Sequence, residues 1–339
     1  MQTTDTATME TENKVMKGTS PVQDRTKHRG FQRVFAPRQL TVGLILPIES
    51  YRGAVPTMQN HATLAQRAEQ LGFAALWVRD VPLHVPNFGD VGQIFDPWVY
   101  LGYLAAQTES ITLATGSTIL PLRHPLHLAK SAASVDQLSH GRLVLGIASG
   151  DRPIEFPAFG IDFNSRGNRF QETLSFFRQV LEERFPTINS SLGTMHDIDL
   201  LPKPLSSQIP AIVTGYSRQS LEWIAANADG WLYYLLDSST QVRVIEQWHT
   251  LTEKHAPRVF KPFAQGFNLD LAKNPDMKPI RIHSGVRLGR NWLSGYLENQ
   301  QQAGVSHVAF NLKYGSRPAD DVIDELGEYI LPRFGAHPQ

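Results

Sequence analysis

From Leu40 onward, short apolar runs alternate with longer stretches whose apolar residues recur at helical spacing. The runs Thr41–Leu46, Ala74–Val78, Ile111–Ser117 and Arg142–Ile147 read as strands. So do Ala211–Thr214, Gly230–Tyr234, Phe263–Leu271 and His307–Leu312. Leu64, Ala68 and Leu71 keep the i, i+4, i+7 rhythm before Gly72, which predicts a helix with a glycine stop. Asp96–Thr108 predicts a second helix, Leu128, Ala132 and Val135 a third that ends before Gly141, and Arg169–Glu183 a fourth. Ala319, Val322, Ile323, Leu326 and Ile330 share one face of the last helix. Short apolar strands separated by helices make parallel βαβ units. Eight such units predict an α/β fold closed into a (β/α)8 TIM-type barrel, since open doubly wound sheets commonly have fewer strands. Ser149–Pro210, between the fourth and fifth strands, is too long for one crossover and predicts an insertion, irregular or hairpin-like over Thr194–Pro204. No linker interrupts Leu40–Phe334, so residues 39–339 read as one barrel domain and the polar residues 1–38 as a disordered extension.

Composition narrows the function. The 339 residues carry 32 Lys+Arg against 32 Asp+Glu, a balance that argues against nucleic acid or an anionic membrane as partner. The chain has no cysteine, which removes disulfides, thiolate metal sites and cysteine nucleophiles. No apolar stretch approaches the ~20 residues of a membrane span, and the N-terminus lacks the apolar core of a secretory signal. A soluble, cytoplasmic protein is the expectation. Phosphate-loop and dinucleotide fingerprints, H-E-x-x-H and the G-x-S-x-G elbow are all missing. His124 and His127 have metal-like spacing around Pro125 but no third ligand in view, and no metal site is expected. The acidic cluster Asp320, Asp321, Asp324 and Glu325 reads as a solvated helix face.

In a barrel of this kind, the C-terminal strand ends build the active site. Asp80 follows the second strand and is a candidate proton acceptor or cofactor orienter, its plain alternative being a salt bridge or helix cap. Thr115, Gly116 and Ser117 follow the third, small enough for a flat ligand to lie on the backbone, or simply a tight turn. Ser149 follows the fourth, in an equally small and polar stretch, and Arg166 lies further along as a possible phosphate donor or a solvated arginine. Thr214, Gly215, Tyr216 and Ser217 follow the fifth, with Ser220 close by. Serines at a helix start make a phosphate cradle, although a plain N-cap is the commoner use. Trp77, Phe88, Phe95 and Trp98 are candidates for an apolar shield over the mouth, or for ordinary packing.

The order and spacing of these segments resemble the luciferase-like monooxygenase family. The resemblance rests on L-A-T-G-S-T-I-L-P-L-R-H-P (Leu113–Pro125), D-Q-L-S-H-G-R-L-V-L-G-I-A-S-G (Asp136–Gly150), F-G-I-D (Phe159–Asp162), I-P-A-I-V-T-G-Y-S (Ile209–Ser217) and A-D-G-W (Ala228–Trp231). It runs from about Leu40 to Phe334.

The resemblance implies a TIM-type barrel that binds reduced FMN or the deazaflavin coenzyme F420. Family members use FMNH2 and O2 to oxygenate a small organic substrate, or F420 for hydride transfer. FMN users commonly take reduced flavin from a separate reductase, and homodimers are frequent. The family's non-proline cis peptide behind the flavin ring matches Gly116–Ser117, and its phosphate contacts match Arg166, Tyr216, Ser217 and Ser220. The catalytic histidine of luciferase proper is matched by Asp80, a departure that counts against light emission. F420-using relatives often carry Asp-His there, whereas this chain has Asp80 and Val81. FMN is the expected cofactor and F420 the alternative, whose acidic tail would call for outlying basic groups such as Arg287 and Arg290. Three readings follow: an FMNH2-dependent monooxygenase, an F420-dependent hydride-transfer enzyme, and a flavin-binding protein without turnover.

Overall fold

The computed structural model describes residues 27–88 and 90–337. All eight expected strands are present: β1 Thr41–Ile45, β2 Ala75–Val78, β3 Thr112–Thr115, β4 Leu143–Ala148, β5 Ala211–Thr214, β6 Gly230–Tyr234, β7 Phe263–Leu271 and β8 Val305–Asn311. Each pairs in parallel with the next, and β8 pairs back onto β1 with Thr41 opposite His307, so the sheet closes. The fold is a (β/α)8 barrel.

The pleat sorts the strand residues by size. Val42, Leu44, Leu76, Val78, Leu113, Leu145 and Val213 face the surrounding helices and form the main core. The inward positions include small residues, among them Ala75, Ala114, Ala264 and Ala309, around the large Trp77. Two inward glycines are required by close approach. A Cβ on Gly146 would lie 1.9 Å from the Thr115 carbonyl oxygen, and one on Gly43 would lie 2.8 Å from the ring of His307. His307 occupies the room Gly43 leaves. It accepts a hydrogen bond from the Trp77 indole at 2.9 Å and shares one of 2.7 Å with the Thr41 hydroxyl. Burial pushes its pKa down to about 3, so the ring is neutral.

The N-terminal end of the barrel corrects one expectation. Residues 1–26 of the anticipated disordered extension lie outside the described residues, but its last part is built into the fold. Arg29–Val34 is a helix capped by His28, and Phe31, Val34 and Phe35 pack against the inward residues of the barrel. The Gly30 amide bonds to the Gly141 carbonyl at 2.9 Å, and the Thr112 and Thr41 hydroxyls bond to the Gly30 and Val34 carbonyls. Beside the plug, Arg142 is almost fully buried and donates to the Ser139, Thr108, Ile111 and Ala105 carbonyls and to the Thr108 hydroxyl, at 2.8–3.0 Å.

The insertion between β4 and β5 contains the helix Arg166–Glu182 and an antiparallel hairpin, Ile188–Ser190 with Gly193–Met195. A second addition follows β7. Ile280–Ile282 and Gly285–Leu288 form another antiparallel hairpin, whose return strand runs parallel to the outer half of β7, with Asn268 opposite Gly285.

Candidate active site

A cavity of about 590 Å³ lies over the C-terminal strand ends and takes residues from all eight, from Ile45 on β1 to Asn311 on β8. Its floor is stitched from three neighbouring strands. The Gly116–Ser117 peptide after β3 is cis. The Ser117 hydroxyl is hydrogen bonded to that of Thr214 at the end of β5. Ser217 donates to the Thr214 carbonyl at 2.8 Å and accepts from the Ser149 amide after β4 at 3.3 Å. Gly116, Ser117, Ser149, Thr214, Gly215, Tyr216 and Ser217 thus line one wall, as their positions in the sequence predict. Thr115 does not reach the cavity: it is fully buried and donates to the Gly146 carbonyl at 2.7 Å.

The turn after β5 gathers two cations beside the cavity, Arg218 within the turn and Arg166 next to it, neither of them a lining residue. Gly215, Ser217 and Arg218 have φ of 56°, 45° and 62°. Turns that mix left-handed with ordinary residues direct successive amides to one side, which favours anions. The turn abuts the start of the insertion helix, where Gln219 donates to the Gly167 carbonyl at 2.9 Å. Arg166 begins that helix. It donates to the Phe163 carbonyl at 2.7 Å, stacks over the Phe163 ring at 3.5 Å, and leaves its buried Nε without a partner. Burial and, after it, the charge of Arg218 hold Arg166 below the ordinary arginine value. Two cations side by side with an unsatisfied N–H call for an anion. Ser220 stands apart from the cavity lining. It caps the short helix Leu221–Asn227, accepting from the Trp223 amide at 3.1 Å, which is the plain alternative.

Asp80 lines the cavity, but its carboxylate is already engaged. Its side chain is 3% exposed and accepts from both Nε and a terminal nitrogen of Arg123, at 3.0 and 2.8 Å, and from the Ile119 amide at 3.1 Å. The salt-bridge alternative describes it: Asp80 positions the segment that follows the cis peptide. His124 likewise caps a helix through the Leu126 amide and contacts the Leu192 carbonyl, which accounts for its ring without a metal. Of the four expected shield aromatics, only Phe88 lines the cavity. Trp77 is inside the barrel, Trp98 belongs to the helix layer, and Phe95 packs against His61 and Tyr100.

The family model described as "Luciferase-like monooxygenase" matches residues 40–266. The chain belongs to this family. An uncharacterized protein of Mycobacterium tuberculosis is 32% identical over 206 residues, which span 56% of this chain and 71% of that protein. Among solved structures, an F420-dependent secondary alcohol dehydrogenase in complex with an F420–acetone adduct superposes with a TM-score of 0.71 at 17% identity, covering 86% of this chain and 98% of the other. The oxygenating constituent of 3,6-diketocamphane monooxygenase from Pseudomonas putida, in complex with FMN, gives 0.69 at 14% identity, with 87% and 99% covered. These structural likenesses show the shared barrel.

Within this luciferase-like barrel, the wall opposite the β5 turn comes from residues the sequence did not single out. Asp90 accepts from Arg79 at 2.6 Å, from the Tyr51 hydroxyl at 2.8 Å and from the Gly92 amide at 2.8 Å, and Lys313 lies 3.5 Å away. Burial works against its charge, but Arg79 and these donors outweigh it and hold the carboxyl below the ordinary range. Arg152 stacks over Phe88 and donates to the Asp90 carbonyl at 2.9 Å. His283, at the tip of the hairpin after β7, leans on Tyr314 with ring centroids 5.4 Å apart, and Asn268 holds the tip by donating to the His283 carbonyl. Apart from Asn268 on β7, these residues sit in loops without periodicity. The one available signal was an ionisable side chain following a strand end.

Proposed function

We propose that this chain is an FMNH2-dependent monooxygenase that oxygenates a small organic substrate with O2. The observation that carries the reading is the cationic turn: Arg166 with an orphaned Nε, Arg218 beside it, and the Gly215–Arg218 turn, left-handed at Gly215, Ser217 and Arg218, which lines the cavity through Gly215, Tyr216 and Ser217. A phosphate would satisfy the orphan and relieve the like-charge pair. Reduced flavin supplies the electrons by which one atom of O2 enters the substrate and the other leaves as water. The residues of this chain hold it. Ser217, with Arg166 just beyond the lining, would anchor the phosphate end, and Gly116, Ser117 and Ser149 would form a floor for a planar ring. The Tyr51–Asp90–Arg79 network and Phe88 limit water at the opposite wall. His283 is the histidine on the lining and the proton carrier in this reading, a task that Asp80, held by Arg123, does not perform. A separate flavin reductase and a homodimer go with the proposal.

The residues at hand favour FMN over F420. Of the outlying basic groups that an acidic tail could use, Arg290 is engaged by Glu325 at 2.8 Å, while Arg287 stays 3.4 Å from Asp270 with its Nε unbonded. The deciding experiment is anaerobic titration of the purified protein with FMNH2 and with reduced F420. It is followed by exposure to isotopically labelled O2 with candidate substrates. Tight FMNH2 binding and label in the product support the proposal; tighter F420 binding with reversible hydride transfer and no O2 consumption overturns it.

A further inference from the structure

A second cavity, of about 550 Å³, lies outside the barrel beside the mouth. One wall is the helix Arg290–Gln302, which presents Trp292, Gly295 and Tyr296; the other walls are Leu235 and the return strand of the β7 hairpin with Val286 and Leu288. The hairpin separates the two cavities: its tip, His283 and Ser284, lines the mouth, while its return strand lines this chamber. Phe267 of the mouth and Tyr296 of the chamber meet edge to face at 5.8 Å.

Three features mark the chamber as more than a packing gap. Gly295 lies mid-helix, where glycine is a poor choice, and an added Cβ would meet nothing within 4 Å. Neither a tight approach nor a turn therefore requires it; its effect is to keep the chamber open. Trp292 is 44% exposed on the wall, with its indole N–H held by the Asp276 carbonyl at 3.2 Å, which orients the ring. Tyr296 lines the chamber with its ring, its hydroxyl being closed off inside the protein. An apolar cleft of this volume with a few polar atoms inside has the make-up of a small-molecule site.

We propose that this chamber binds a small planar aromatic molecule, at a site distinct from the mouth. The ring occupies the space left by Gly295 between the rings of Trp292 and Tyr296. The test is calorimetric titration of the full chain with 4-hydroxyacetophenone, comparing wild type, Gly295→Leu and Tyr296→Phe. Saturable binding is expected, weakened at least tenfold by Gly295→Leu, which fills the chamber, and little changed by Tyr296→Phe, which keeps the ring. Gly295→Leu adds a better helix former in open space, so its melting temperature should not fall, and Tyr296→Phe keeps the ring packing as a second check. No saturable heat up to about 1 mM, or equal binding by wild type and Gly295→Leu, overturns the proposal.

Discussion

The two ends of the barrel are built on opposite terms. At the N-terminal end, most buried polar groups are paired inside protein, although the Arg33 Nε and the His337 Nε2 are left without a partner. His28 lies 3.2 Å from Asp136, Arg142 is held by surrounding carbonyls, and Trp77, His307 and Thr41 form a bonded chain up to the plug helix. At the C-terminal end, the Arg166 Nε has no partner, two arginines repel each other, and the turn residues Ser217 and Arg218 adopt left-handed backbone. Both ends use the same strands and similar residue types. Burying an unsatisfied polar group costs about 1–3 kcal/mol, and the orphan at the mouth differs from those at Arg33 and His337 in lying beside a turn that lines a cavity, where a ligand can meet it. Variants at the two ends should therefore separate stability from binding.

The largest effect is expected at the plug. Phe31→Ala removes a buried aromatic ring and should cost roughly 3–5 kcal/mol in denaturant unfolding, with flavin affinity unchanged. A parallel loss of flavin affinity would mean that the two ends are not independent. Asp80→Asn comes next, breaking the charge-assisted contacts to Arg123 at a cost of about 1.5–3 kcal/mol. Because Asp80 braces the cavity wall, this variant should weaken flavin binding as well. The pH dependence of stability sharpens the contrast. His307 stays neutral in the folded chain down to about pH 3, whereas an unfolded histidine takes its proton near pH 6.5. Between those values the unfolded state binds the extra proton, so stability falls as the pH is lowered, by at most about 1.4 kcal/mol per unit. That slope should be shallower in His307→Gln when unfolding is measured between pH 4 and pH 7. The smallest stability effect, within about 0.5 kcal/mol, is expected for His283→Gln at the mouth. There the loss should appear in turnover and in the pH–rate profile, and unchanged turnover would remove His283 from the mechanism.

Particular residues explain how much of this was legible. Strands were readable because Val42, Leu76 and Leu145 sit on apolar runs of the right length between helical periods, a signal that survives without tertiary context. The short hairpin Ile280–Leu288 was not, since each of its strands spans only a few residues and is held by β7. The plug was missed because Phe31, Val34 and Phe35 are few among polar neighbours, and their burial depends on the hollow barrel end they fill. The resemblance, together with placement after strand ends, located Gly116, Ser117 and Ser217 on the cavity, since barrel geometry brings those positions together. Asp80 read equally as catalytic or structural, and only the distance to Arg123 separates the two. Asp90, Arg152 and His283 come from loops that carry no pattern.

The central claim is that the turn after β5 and Arg166 hold a phosphate. Its most direct test is the affinity of wild type and Arg166→Ala for FMN and for riboflavin, which lacks the phosphate. A charge-assisted hydrogen bond of about 1.5–3 kcal/mol predicts at least a tenfold loss for FMN, with riboflavin nearly unchanged and the melting temperature preserved. Equal losses for both ligands, or none for FMN, would contradict the account and place the anchor elsewhere.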